Sequence, residues 1–349
     1  MSGIIDGMDQ GHCRCPYKGT QNSFSNPLKQ SLTGFLEHGH GLTIYRTIET
    51  VTKGANLTLY CILAQLEYWK NRHDGNYPDE FYLQIDGGSE NANQYLLGML
   101  ELLVAKRLCR VIYVTRLPTG HTHEDIDACF GVIWSAFRHR PCESLLRYKQ
   151  FVEDALGDSR LKATVHDVMI IPDYKSFFDG CIDDHLSSLH TTINTQHQWR
   201  FEAVKQSKYF PYGAKVTYRA YSSDEVIEFE KLPKASCVSN IGQLTGLECK
   251  RVICRWYPSP ECDATRVGIE GYFLLRKLPG AHNMTLLKPQ AFPEGVTSEI
   301  RKTLSEVRTH FDNIDDAEIR DHWNSWERND CPRSDDAEDY LRRFVSVCL

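Results

Sequence analysis

Residues 81–114, FYLQIDGGSENANQYLLGMLELLVAKRLCRVIYV, decide the fold class that this chain is expected to adopt. The stretch opens with an apolar run that ends at Asp86 and closes on a second apolar run that starts at Cys109. Between them, ANQYLLGMLELLVAKRL repeats apolar residues at intervals of three and four, which is the spacing of an amphipathic helix. A strand, a helix and a strand in this order predict two parallel strands joined by a crossover.

The segments on either side of this unit predict a further helix and additional strands of the same sheet. A further helix is predicted at 124–140, EDIDACFGVIWSAFRHR. Upstream, apolar runs at 32–37 and 42–50 flank HGHG, whose glycines are typical of a hairpin turn. With the short apolar strand at 3–8, the first third of the chain has five predicted strands. The parallel crossovers and the antiparallel hairpin together predict a mixed five-stranded α/β sheet flanked by helices.

The rest of the chain predicts three further parts after a core over residues 1–140. Residues 141–208 are expected to form a helical extension. Residues 209–290 contain short β-rich runs separated by Pro, Gly and Ser, the pattern of a small antiparallel sheet or barrel. Residues 291–349 contain TSEIRKTLSEVRTHF and DDAEDYLRRFVSV, which predict an acidic helical tail.

Composition favours a folded intracellular protein. Hydrophobic residues make up 41% of the 349 residues and charged residues 25%, close to the globular norm. The thirteen cysteines are scattered without a C-x-x-C pair, as expected for reduced thiols in the nucleus or cytoplasm. No apolar stretch reaches the ~18 residues that a membrane span needs. We therefore expect no membrane association. No small-molecule organic cofactor is expected either.

The net charge of −6 bears on possible partners. From Gly295 onward there are 13 acids and 8 bases, so that 8 − 13 = −5 of the net charge lies there. The remaining 294 residues are close to neutral. A strongly basic composition, typical of nucleic-acid-binding proteins, is therefore not seen.

Three aspartates occupy informative positions in the predicted sheet. Asp6 interrupts the first strand, Asp86 ends the fourth, and Asp127 lies near the start of the helix after the fifth. An ionised side chain at such a position is costly unless it is paired or binds a cation. If the first and fourth strands are neighbours, Asp6 and Asp86 face the same edge, and the later helix brings Asp127 over them. Three converging carboxylates suit two Mg²⁺ or Mn²⁺ ions better than zinc, and such ions support phosphodiester transfer.

The motifs IIDGMDQ, LQIDGGSENAN and GHTHEDIDACFG carry a resemblance to known proteins. Strand order and acid placement resemble the ribonuclease-H-like fold of cut-and-paste transposases and retroviral-type integrases. More narrowly, the motifs resemble an uncharacterised family of transposon-associated proteins with the pattern GHTxxxxDxxFG, a domain of unknown function. The resemblance covers roughly residues 1–140, and it implies a triad of Asp6, Asp86 and Asp127.

The resemblance also implies a function, which is metal-dependent DNA strand cleavage or transfer inherited from a transposon. Water or a DNA 3′-hydroxyl would attack a phosphate in line. Asn91 would hold the loop after the fourth strand, and His121 would contact a phosphate or orient a carboxylate. Because Met1 stands directly before the first strand, we expect the amino-terminal part usual in transposon proteins to be missing. We therefore expect a truncated or domesticated remnant that keeps the fold more surely than the activity.

Two other functions fit parts of the sequence. His121-x-His123-x-Asp125 matches the H-x-H-x-D start of metallo-β-lactamase-like zinc hydrolases, although Ile126 stands where a further histidine is expected. The alternative is a non-catalytic, transposase-derived scaffold that binds protein or nucleic-acid partners or self-associates. The near-neutral body of the chain favours this scaffold.

Two smaller questions stay open. Asp9 lies three residues after Asp6, and strand alternation puts the two on opposite faces, so only one can line a site. The apolar pair before Asp6 favours Asp6. His12, Cys13 and Cys15 offer three potential zinc ligands, but no matching second half is visible in the sequence.

Overall fold

A computed structural model describes most of the chain up to residue 219 and short segments beyond it. The described residues are 1–15, 17, 28–48, 51, 53–86, 93–116, 125–142, 145–157, 163–168, 171–182, 198–207, 210–219, 229–231, 250–252, 275 and 277–286.

The described part of the chain contains both strands and helices. The strands are β1 (Ser2–Gly7), β2 (Arg14–Cys15), β3 (Leu28–Glu37), β4 (Gly41–Ile48), β5 (Glu80–Ile85), β6 (Val111–Arg116), β7 (Ala163–Asp167), β8 (Gln198–Ala203), β9 (Ala214–Arg219), β10 (Phe229–Lys231) and β11 (Lys250–Val252). The helices are α1 (Ala55–Arg72), α2 (Gln94–Ala105), α3 (Asp125–Phe137), α4 (Leu145–Gly157), α5 (Tyr174–Phe177) and α6 (Ala281–Leu286). None of the helices in this part of the chain is long and apolar enough to cross a membrane.

The chain divides into two compact units. The β1 unit comprises Ser2–Tyr68, His121–Phe177 and Gly280–Leu349. The β5 unit comprises Met1 together with two longer ranges, Trp69–Gly120 and Phe178–Pro279. Each unit has its own strands and helices and is described by itself.

The β1 unit contains five strands, of which four lie in the order β7-β4-β3-β1 and the fifth, β2, pairs with β3. β1 and β4 run antiparallel to β3, and β7 runs parallel to β4. Successive strand residues face opposite sides of a sheet. Ile44 of β4 lies in a core shared with α3 and α4, whereas the hydroxyl of the next residue, Tyr45, accepts a 2.9 Å hydrogen bond from Gln65 of α1. The strands are therefore flanked by α1 on one face and by α3 and α4 on the other.

The larger group of strands in the β5 unit has four members in the order β5-β6-β8-β9, and β10 and β11 form a separate antiparallel pair. β5 and β6 form the parallel pair expected from residues 81–114, and β8 and β9 extend it in antiparallel fashion. α2 packs against β6, β8 and β9. The helix starts where it does because the side chain of Asn93 accepts hydrogen bonds from the backbone N–H groups of Tyr95 and Leu96, at 3.0 and 2.9 Å.

The predicted α/β class, with a mixed sheet and flanking helices, is confirmed by these elements. The strand number is a correction, because β2, β7, β8 and β9 join the five strands that were expected. β7 and β8 lie within residues 141–208, for which helices were predicted. Both are short, five and six residues, and they are stabilised by pairing with β4 and β6 rather than by a strong local pattern.

The later parts of the chain are covered only in segments. β9, β10, β11 and α6 fall within 209–290, and most of the small β-rich domain predicted there lies outside the described residues. The acidic helical tail predicted at 291–349 lies wholly outside them. The predicted domain boundaries, and the ribonuclease-H-like identity of the core, stay predictions.

Candidate functional site

Asp6 lies within β1 on the face that is covered by α3 and α4. Ile4 and Met8, two residues to either side, are buried in the core shared with those helices, so strand alternation places Asp6 on the same face. Asp6 is half-buried, and its Oδ1 accepts a 2.7 Å hydrogen bond from the N–H of Gly7. A carboxylate between two core side chains is costly unless its charge is compensated. Asp6 is thus a strand residue whose charge needs compensation, rather than a turn residue.

The first turn of α3 carries two aspartates with different surroundings. Ile126, Phe130 and Ile133 form the buried stripe of this helix. Asp125 is exposed, whereas Asp127 is half-buried at the border of that stripe. Acids in a first turn also stabilise the helix through its dipole, and this local role applies to both. The difference in burial singles out Asp127 as the acid that borders the packed face.

A glycine brings α3 close to the strand that carries Asp6. Gly34 of β3 is the register partner of Asp6, and opposite residues of an antiparallel pair project from the same face. A Cβ placed on Gly34 would lie 3.0 Å from Cζ of Phe130 and 3.1 Å from Cδ1 of Ile126. The first turns of α3, which include Asp127, therefore approach the sheet at the register position of Asp6.

Asp86, the third predicted acid, follows β5 directly and is half-buried in the β5 unit. Asp6 and Asp127 both belong to the β1 unit. Among the described residues, no three His, Cys, Asp or Glu side chains are grouped so that they could hold a metal ion. Asn91 and His121 lie outside the described residues, so their roles stay predictions.

Asp9, the rival of Asp6, has a local structural role. It lies beyond the end of β1 and is exposed. Its Oδ1 accepts a 2.8 Å hydrogen bond from the N–H of Gly11, and its carbonyl accepts one of 3.0 Å from the N–H of His12. Asp9 thus stabilises the 3-10 turn at Gln10–His12. This local role favours Asp6 as the functional acid.

The potential zinc ligands near the amino terminus, His12, Cys13 and Cys15, pack against other side chains of the protein. Cys13 and Cys15 are fully buried in the core that also contains Ile4 and Met8. Burial raises the pKa of the Cys13 thiol to about 11, which disfavours the thiolate that binds zinc. The ring of His12 stacks on Trp134 with centroids 4.1 Å apart. The two cysteines are therefore packed as core residues, and His12 is packed as an aromatic side chain.

This environment predicts thiols that are inert in the native state. At about pH 8, iodoacetamide should leave Cys13 and Cys109 unmodified, because burial raises their pKa values to about 11 and 12 and keeps the thiolate of Cys13 at about 0.1%. Peptide mapping by mass spectrometry measures the modification, and protein unfolded in guanidinium chloride is the control in which both should react. Protection of Cys13 that disappears on adding a chelator would instead reveal a bound metal.

Of the three residues in the alternative zinc-hydrolase motif, only Asp125 is among the described residues. His121 and His123 lie outside the described residues, and Asp125 is exposed at the start of α3. His166 lies further along the chain and could supply another zinc ligand, but its ring stacks on that of Tyr68 with centroids 5.4 Å apart. Nothing in the described part of the chain brings these histidines and Asp125 together, and the zinc-hydrolase hypothesis stays untested.

A charged pair on the same sheet face as Asp6 was not predicted from the sequence. Nε of Arg46 lies 2.5 Å from Oδ1 of Asp167, its register partner on β7, and Nζ of Lys149 lies 3.9 Å from the other carboxylate oxygen. Arg46 is the partner of Leu32, which is buried in the core below α3, so Arg46 projects from the same face as Asp6. In the sequence, only the five-residue segment ATVHD could have indicated that Asp167 lies in a strand, and this segment is too short to be distinguished from a loop.

The described residues form a mixed α/β protein in which Asp6 lies within a strand, Asp86 follows a strand and Asp127 lies in the first turn of a helix. Residues 20–222, more than half of the chain, match the family model described as Domain of unknown function (DUF7869). The chain belongs to this family. No curated protein and no solved structure matched it. The family description names no activity, so a function has to be inferred from the residues themselves.

Proposed function

We propose that the chain is a transposon-derived domain for metal-dependent phosphodiester chemistry on DNA, with Mg²⁺ or Mn²⁺ as cofactor. The observation that carries the proposal is the position of Asp6. It is half-buried between two core residues, on the sheet face that α3 contacts at Gly34, the register partner of Asp6. A carboxylate in such a position has to be paired, hydrogen-bonded or bound to a cation, and a bound cation is the solution that we propose.

The residues present fit a hard divalent cation. Carboxylate oxygens are the protein ligands that Mg²⁺ and Mn²⁺ prefer, and such ions take one or two carboxylates together with phosphate oxygens and waters. Asp6 and Asp127 supply carboxylates within the β1 unit. Asp86 is included as the third ligand on the strength of the sequence resemblance.

Each residue has a simple role in the proposed chemistry. When bound, the cation lowers the pKa of a water or hydroxyl and stabilises the charge that develops on the phosphate. The chain itself holds the ligands in position: the N–H of Gly7 orients Oδ1 of Asp6, and the buried stripe of α3 fixes the helix that carries Asp127. Catalysis would be mainly electrostatic, as in other phosphoryl transfers.

The test compares conservative variants of the acids. We expect about 10 mM Mg²⁺ or Mn²⁺ to stabilise the wild-type protein by on the order of 1–3 kcal/mol, the effect of a ligand present at about 10 to 100 times its Kd. Asp6→Asn and Asp127→Asn should remove this stabilisation, measured by thermal unfolding with and without the cation. Nicking of plasmid DNA in Mn²⁺ should fall at least ~100-fold in both variants.

Two matched controls separate ligands from ordinary acids. Asp9→Asn and Asp125→Asn make the same charge change at exposed positions close to Asp6 and Asp127, and both should respond to the cation like the wild type. Equal loss in Asp125→Asn and Asp127→Asn, or a wild-type protein that shows no response to either cation, would sink the metal-dependent function. The non-catalytic scaffold would then be the better description of the chain.

A further inference from the structure

Gly34 stands in the middle of a ten-residue strand, where glycine is unfavourable without a specific reason. Such a residue has no side chain to pack and loses more conformational freedom on folding than any other. Backbone geometry does not explain it, because Gly34 is not among the glycines with positive φ. The strand is paired on both sides at this point, with Asp6 of β1 and Ile44 of β4. The remaining reason for glycine at position 34 is that a side chain would lack space above the sheet.

The space is taken by α3. A Cβ on Gly34 would lie 3.0 and 3.3 Å from two ring carbons of Phe130 and 3.1 Å from Cδ1 of Ile126. Both side chains are buried, so neither can turn away into solvent. Ordinary contacts between carbon atoms are about 3.5–4.0 Å, so a methyl group here would push the helix outward by roughly 0.5 Å.

We propose that Gly34 is a positioning residue, which sets the distance between α3 and β3 and thereby, through the pairing of β3 with β1, the geometry of the Asp6 and Asp127 carboxylates. The inference rests on the proposed metal-dependent function. Gly34 itself touches neither cation nor substrate. Productive sites require geometry held within about 0.5 Å, so a shift of this size at the register position of Asp6 weakens cation binding.

The experiment measures the Mn²⁺ concentration at which thermal stabilisation is half complete. Gly34→Ala should raise this midpoint about tenfold. Gly131→Ala is the matched control in α3, since a Cβ there has nothing within 4 Å, and its midpoint should equal that of the wild type. Gly3→Ala is the control for lost stability, because its Cβ would lie 2.4 Å from a ring carbon of Phe35, which is not part of the core under α3. It should melt at a lower temperature with its midpoint within about twofold of the wild type.

A relieving substitution completes the test. Phe130→Leu removes the two ring carbons that crowd Gly34, so the double variant Gly34→Ala/Phe130→Leu should recover a midpoint between those of Gly34→Ala and Phe130→Leu. Should Gly34→Ala fail to fold, this double variant carries the comparison, because Ile126 still crowds the added methyl group. A midpoint more than about twofold above that of Phe130→Leu then supports the proposal, and a midpoint equal to that of Phe130→Leu overturns it.

The outcomes distinguish the two levels of inference. A wild-type protein that responds to Mn²⁺ while Gly34→Ala keeps the wild-type midpoint overturns the role of Gly34 and leaves the metal function standing. Equal midpoint changes in Gly34→Ala and Gly3→Ala also overturn it, since they would reflect lost stability alone. A wild-type protein without any response overturns the proposed function, and this inference with it.

Discussion

Asp167→Ala should lower the free energy of unfolding by about 3 kcal/mol, at the low end of the range for breaking a buried ion pair. The reason is the environment of Arg46, whose side chain is only 5% exposed and whose Nε lies 2.5 Å from the carboxylate. Without Asp167, the guanidinium loses the carboxylate that neutralises it inside the sheet face. Asp167 is itself 31% exposed, so solvent screens part of the interaction. Urea unfolding followed by circular dichroism measures the change.

The control for this prediction removes both charges. Arg46→Met combined with Asp167→Leu replaces the pair by apolar groups and should cost less than Asp167→Ala alone, because no uncompensated charge stays buried. Lys149→Ala tests the outer partner, which lies 3.9 Å from the carboxylate, and should cost less than about 1 kcal/mol. A cost below about 1 kcal/mol for Asp167→Ala would mean that Arg46 is not desolvated as described.

Phe130→Ala should destabilise the protein by about 3–5 kcal/mol, the usual cost of removing a buried phenylalanine side chain. Phe130 lies in the core of the β1 unit, and its ring is the closest contact above Gly34. Removing it leaves a cavity between α3 and β3 and loosens the helix that carries Asp127. The change is measured by urea unfolding under the same conditions.

Val132→Ala is the matched control in the same helix. Val132 is 48% exposed and lies away from the buried stripe, so its loss should change the free energy of unfolding by no more than about 0.5 kcal/mol. Similar effects at positions 130 and 132 would contradict the orientation of α3, and with it the placement of Asp127 at the border of the packed face.

The elements with strong local patterns were predictable. The parallel pair of β5 and β6, the helix between them and the hairpin of β3 and β4 were all expected from apolar periodicity and glycine turns. The glycines of HGHG do adopt turn geometry, with φ of 84° at Gly39 and 149° at Gly41. Local patterns suffice here because each element repeats its buried face over several residues.

The candidate site was predictable only in part. Apolar runs and their ends placed Asp6 in a strand, Asp86 after one and Asp127 at a helix start, and the structure has all three there. The burial that separates Asp127 from Asp125 was not predictable, because it depends on how α3 lies on β3. Asp9 could be assigned to its turn only from its hydrogen bonds to Gly11 and His12.

The sequence by itself determined the α/β class and the kinds of residue available for chemistry, since both follow from short-range periodicity and side-chain type. Tertiary structure decided which strands became neighbours and which charges met. Arg46 and Asp167 are separated by 121 residues, and the crowding of Gly34 by Phe130 joins segments nearly as distant. Such contacts form only because whole faces of strands and helices bury apolar surface together, a property that no single segment displays.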